Sequence, residues 1–135
     1  DYPEKDAKAA VQLQQIFYRM TKYFVENFNT ANFLNEALYH SKAASYFTNY
    51  RVQHFIFIRT LIEQAQREGD ICSDMNSYEI YTTLQSILVQ PIIIKNSILE
   101  QHKNEPLMEK LKLIDVDSES SLQKRLRVAF KGLRP

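Results

Sequence analysis

The side chains able to do chemistry at neutral pH are few and scattered. Three histidines, His40, His54 and His102, stand far apart, with no His-x-x-x-His pair on one helix face and no Cys-x-x-Cys beside them, so a metal-ligand set has no spacing to rest on. The single cysteine, Cys72, follows Gly-Asp-Ile close to a helix start, where the positive end of a helix dipole favours a thiolate and redox sensing is conceivable. An idle cysteine fits the same position, and no histidine adjoins it to act as a base. Two glycines in 135 residues cannot build a phosphate-cradling loop, and neither Gly-x-Ser-x-Gly nor a close carboxylate pair in a plausible cleft appears. The expectation is no enzyme, no catalytic residues, no metal and no cofactor.

Aromatic rings are the more abundant resource. Phe17, Tyr18, Tyr23, Phe24, Phe28, Phe33 and Tyr39 fall before residue 40, and Tyr46, Phe47, Tyr50, Phe55 and Phe57 soon after it. Such rings serve plain core packing as readily as they serve a ligand, so the elements that carry them decide what they can do.

Those elements read as helices. With two glycines and four prolines the chain lacks the turn residues that hairpins require. Leu13, Ile16, Phe17, Met20, Tyr23, Phe24 and Phe28 recur at three and four residues, which predicts an amphipathic helix from Pro3 to Asn29. Phe33, Leu34, Ala37 and Leu38 form a short second helix ending near His40. A third, capped by Ser45, carries Phe47, Tyr50, His54, Phe55, Ile58, Leu61, Ile62 and Ala65 on one side and ends at Gly69 in a left-handed position. Ser73 or Asp74 caps a fourth, with Glu79 early in it and Tyr78, Tyr81, Leu84, Leu88 and Ile92 at helical spacing as far as Gln101. It contains SILVQPIIIK (residues 86–95), the most apolar run of the chain, in which Pro91 removes the hydrogen bond to the Ile87 carbonyl and bends the helix. A helical turn at Leu107–Leu113 and a last helix, begun by Ser118 or Ser120 and ended by Gly132, complete an all-α bundle of five to six helices in one domain, residues 1–135.

Charge is near balance, with 17 basic and 16 acidic residues, so the totals announce neither a nucleic-acid backbone nor an anionic membrane as partner. Residues 101–135 alone are basic, eight against five, with Lys124, Arg125, Arg127, Lys131 and Arg134 along the last helix. A solvated face favoured by the helix dipole accounts for them. A lone cysteine, no N-glycosylation sequon and no signal peptide point to a reducing, cytoplasmic setting, and no apolar run reaches the ~20 residues that span a bilayer.

A helix apolar around its circumference is buried on more than one side. With Leu84, Leu88 and Ile92 facing the core, Ile87, Pro91, Ile94 and Ile98 turn elsewhere, and Leu126, Phe130 and Leu133 offer a second stripe. Two such helices from each of two chains would make a four-helix interface of twofold symmetry, a homodimer. A central core helix in a monomer satisfies the same pattern.

The stretch FIRTLIEQAQREGDICSDMNSYEIYTTLQSIL (residues 57–88) resembles the turn between the last two helices of the effector core in TetR-family transcriptional regulators: an amphipathic run, Gly-Asp-Ile, an acidic residue, then a long dimer helix. RLRVAFKGLRP (125–135) is similar to the family's last dimer helix and Gly-Leu ending. Gln90-Pro91 departs from the pattern, since many members carry glycine there. The family's DNA-binding helix-turn-helix, which should precede this core, matches nothing in the sequence. The resemblance implies an effector pocket walled by Phe17, Met20, Phe24, Tyr50, His54, Ile58 and Leu84, in which Tyr50 and His54 could orient the polar end of an apolar or amphipathic small molecule. It also implies DNA binding only through a missing N-terminal domain, and none by this chain alone. The rival expectation is a helical protein–protein interaction module without a small-molecule site.

Overall fold

The computed structural model describes residues 5–26, 41–102 and 104–135, and of residues 41–51 the backbone alone. Among the described residues all regular structure is helical: α1 (Ala9–Glu26), α2 (Ser41–Arg67), α3 (Ser77–Leu88), α4 (Gln90–Gln101), α5 (Leu107–Lys112) and α6 (Glu119–Gly132). The short helix expected at Phe33–Leu38 lies outside the described residues, as do Pro3 and Phe28. No helix among them is long and apolar enough to cross a membrane.

α3 is the hub. It packs against α1, α2 and α6 and runs on into α4, whereas α4 packs chiefly on α3 and α5. Ile80, Leu84 and Leu88, spaced four apart, are wholly buried, and around them gather Leu13 and Phe17 of α1, Ile58, Ile62 and Ala65 of α2, and Leu122, Leu126, Ala129 and Phe130 of α6. Each fully buried side chain of this size stabilises the fold by about 1.5–3 kcal/mol. Thr21 is the one polar residue buried among them, and its hydroxyl donates to the Phe17 carbonyl one turn back at 2.7 Å. Tyr23, expected on the same face of α1, is exposed.

The corner between α2 and α3 is the most tightly specified turn. Gly69, at φ 81°, takes the left-handed position that its sequence context predicts. Asp70 N–H donates to the Ala65 carbonyl and Gly69 N–H to that of Gln66, which closes the end of α2 in a Schellman arrangement. Gln66 then spans the loop, its amide donating to the carbonyls of Cys72 at 3.0 Å and Met75 at 2.8 Å. The Cys72 N–H donates to Leu133 at 2.7 Å and ties the loop to the end of α6.

Because Gln66 holds residues 72 to 75 outside any helix, neither Ser73 nor Asp74 caps α3. Asn76 does: its side chain accepts from Glu79 N–H at 2.9 Å, and the Glu79 carboxylate accepts from Asn76 N–H at 3.0 Å. At α6, of the two serines considered, Ser118 is the cap, accepting from Ser121 N–H at 3.1 Å. α2 begins at Ser41 rather than Ser45, since nothing in Lys42-Ala43-Ala44 breaks a helix.

The helix expected to run unbroken from residue 74 to Gln101 is divided at Val89, whose backbone stays in the right-handed helical region at φ −100°, ψ −44°. Pro91 has no N–H to give, and Ile92 N–H turns to the Val89 carbonyl at 3.1 Å. The interruption falls where Pro91 was expected to disturb the helix, and beyond it α4 packs chiefly on α3 and α5.

The capping box gives a test. Asn76→Ala should cost about 1 kcal/mol and lower the midpoint of thermal unfolding, while Asn76→Asp keeps the acceptor and stays near wild type. Equal melting of the alanine variant and wild type would refute the cap.

Candidate functional site

Where α1, α2 and α3 meet, a line of polar groups crosses a wall of rings. Tyr81 and Gln85 stand one turn apart on α3, beside the buried Leu84. Gln85 Nε2 donates to the Tyr81 hydroxyl at 3.2 Å, and that oxygen lies 3.0 Å from Nδ1 of His54 on α2. At the other end Gln85 Nε2 approaches the Met20 sulfur of α1 at 3.8 Å, a weak contact.

Burial sets the charge of the histidine. Partly buried, His54 has its pKa pushed below the ordinary value, so the neutral ring prevails near neutral pH. The neutral ring has one bare nitrogen and one N–H, and the bond between Nδ1 and the Tyr81 hydroxyl takes its direction from the tautomer.

The rings around this line meet edge to face. Tyr81 contacts Phe55 at 5.3 Å between centroids, His54 at 5.9 Å and Phe17 at 6.2 Å, and Phe55 contacts Tyr78 at 5.8 Å. The arrangement offers apolar faces together with a short hydrogen-bonding chain, which suits recognition of a flat or amphipathic molecule.

Of the expected wall residues, Phe17, Ile58 and Leu84 are completely buried in the core, while Met20 and Phe24 are partly buried against it. His54 joins the polar line. The Tyr50 side chain lies outside the described residues. Sequence reasoning missed Tyr81, Gln85 and Phe55 as members. The signal was present, because a tyrosine and a glutamine one turn apart beside an apolar stripe must find polar partners when the stripe is buried.

The residues assigned to a dimer face divide into two groups. Leu126, Phe130 and Leu133 are 7%, 8% and 4% exposed and pack in the chain's own core, which corrects the expected second stripe. An amphipathic helix has one apolar face, and α6 spends it closing the bundle; its outer face carries Lys124, Arg127, Val128 and Lys131. Ile87 is partly buried against the core, and Pro91 and Ile98 are partly exposed. Ile94 is 53% exposed, and Leu107, Leu113 and Ile114 of α5 and the turn after it are exposed as well.

The Cys72 thiol is pushed up from its ordinary value, first by burial and then by the Asp74 carboxylate, the reverse of the thiolate that a helix dipole would favour. Among the described residues no three His, Cys, Asp or Glu side chains gather as metal ligands. Comparison with protein-family models, curated proteins and solved structures finds no match.

The lowered His54 pKa has a definite pH signature. Because the unfolded chain takes up this proton more readily, His54 contributes stability that is complete above the unfolded value of about 6.5 and declines as pH falls from there toward the folded value. Urea unfolding from pH 8 to pH 5 should show a steeper loss for wild type than for His54→Gln; parallel curves would exclude the contribution.

Proposed function

We propose that this chain is the ligand-sensing and dimerising core of a TetR-like bacterial transcriptional regulator, working in the cytoplasm. The observation that carries the reading is the hydrogen-bonded line from His54 through Tyr81 to Gln85 within the wall of Phe17, Phe55 and Tyr78. Polar groups amid rings at a meeting of three helices give one ligand both an apolar surface and an orienting contact. The effector would be a small apolar or amphipathic molecule with a flat portion and one hydrogen-bonding end. Its binding would shift α1 and α2 against α3, and DNA reading would fall to a helix-turn-helix outside these 135 residues.

The α4 side of the chain is proposed as the homodimer face, with Ile94, Ile98 and Pro91 at its centre and Leu107 beside them. The exposure of Ile94 and Leu107 supports this, since exposed apolar side chains favour association that covers them. A second reading, a protein–protein module without a small-molecule site, draws on Val52, Ile56 and Phe57, exposed together on α2.

Thermal unfolding against a panel of amphipathic aromatic compounds separates the two readings. A compound at a hundred times its Kd adds about 2.7 kcal/mol to the folded state, enough to raise the melting temperature by several degrees. The sensor reading expects at least one such shift, lost or reduced in Tyr81→Phe and kept in Phe57→Ala. A panel without any shift would sink it.

For the dimer, light scattering should find two copies for wild type and one for Ile94→Glu, with helical circular dichroism unchanged. Wild type monomeric at high concentration would remove the dimer from the proposal.

A further inference from the structure

The break at Val89–Pro91 frees backbone carbonyls in a place where water has little access. Pro91 offers nothing to the Ile87 carbonyl. Ile92 N–H, the ordinary helical donor to Leu88, bonds to the Val89 carbonyl at 3.1 Å, and Ile93 N–H points to that same oxygen at 3.4 Å. The Leu88 carbonyl instead accepts from Arg125 Nη2 of α6 at 3.2 Å. The other terminal nitrogen, Nη1, donates to Ser121 Oγ at 2.6 Å, one turn earlier on α6. One arm of the guanidinium is thus tied to its own helix while the other holds the end of α3.

This contact is made at a cost. Arg125 is partly buried, its pKa is pushed down by desolvation against the opposing pull of Asp117 and Asp115, and its buried Nε has no hydrogen-bond partner. A leucine could close the bundle at this position without that penalty. Beyond its first turn, where Ile93 reaches the core, α4 packs on α5 and makes no comparably extensive contact with α1, α2 or α6. Lys95 Nζ donates to the Ile114 carbonyl and so ties α4 to the turn after α5. The direction of that arm therefore depends on the bend and on whatever holds the bend.

We propose that Val89–Pro91 is a hinge for the α4–α5 arm and that Arg125 is its latch. In the latched state the guanidinium occupies the Leu88 carbonyl and the arm is held away from the bundle. In the released state the Leu88 carbonyl loses that donor, the bonds of Ile92 and Ile93 N–H to the Val89 carbonyl open, and α4 swings toward the axis of α3. The hinge stands independently of any ligand at His54 and Tyr81.

Spin labels at Glu100→Cys and Lys124→Cys, both exposed positions, placed in a Cys72→Ser background, read the arm against α6 by pulsed electron resonance. The latched protein should give one narrow distance. Arg125→Gln should add a second population and speed amide exchange at Ile92 and Ile93 by about tenfold or more, as loss of a charge-assisted hydrogen bond implies, while Ile62 and Leu84 exchange as before. Ser121→Ala, which cuts the tether but keeps the charge, should move both readouts the same way by less, and carries the test if Arg125→Gln fails to fold. Unchanged distances in the variants that fold, or exchange that rises equally throughout the bundle, would overturn the latch.

Discussion

The fold rests on covering one helix. α3 presents Ile80, Leu84 and Leu88 to three neighbours, and all three side chains are sealed from water. The neighbours pay for that position with their own apolar faces, since the buried stripes of α1, α2 and α6 end on the same cluster. This sharing explains why α6 has nothing apolar left for a partner except Val128. At the edge of its contact with α1 and α2, α3 carries Tyr81 and Gln85, which bond to each other and to His54.

Polar groups at the ends of the helices turn that covered helix into a placed one. Gln66 bridges two loop carbonyls, Gly69 ends α2, and Asn76 with Glu79 begins α3, so three successive devices within about ten residues set the angle between α2 and α3. The angle is what brings His54 within hydrogen-bonding distance of Tyr81, 27 residues further on. A candidate site on two helices is only as well defined as the corner joining them, and this corner is pinned by backbone and side-chain bonds even though Asp70 Oδ2 is buried there without a partner. At the far end of α3 the order is looser. Pro91 takes away a donor, Arg125 supplies one from another helix, and α4 departs with Ile94 in solvent.

Helical class, the apolar faces of α1 and α2, the stop at Gly69, a disturbance of the helix near Pro91 and the start of α6 to within Ser118 or Ser120 were legible in the amino-acid order, because each depends on residues within one or two turns of one another. Period, capping and the missing donor of proline are local facts. The aromatic concentration and the place of His54 in it were legible too, but not its partners Tyr81 and Gln85. Nor was the true cap of α3 read, although the signal was local: Asn76 is followed three residues later by Glu79, the capping-box spacing that Ser73 and Asp74 lack, and Gln66 adds to it by holding the preceding loop open.

What the sequence determined by itself was therefore the set of helices and which side of each is apolar, since hydrophobic periodicity requires no knowledge of the neighbour. Which apolar side meets which was decided only in three dimensions. Leu126, Phe130 and Leu133 form the same stripe whether they face a second chain or their own bundle, and only the packing of α6 across α1 and α3 assigns them inward. Likewise Arg125 reads as one more cation on a basic helix until the bend at Pro91 leaves a carbonyl for it to hold. A stripe states that it must be covered; the identity of the cover is a long-range property of the folded chain.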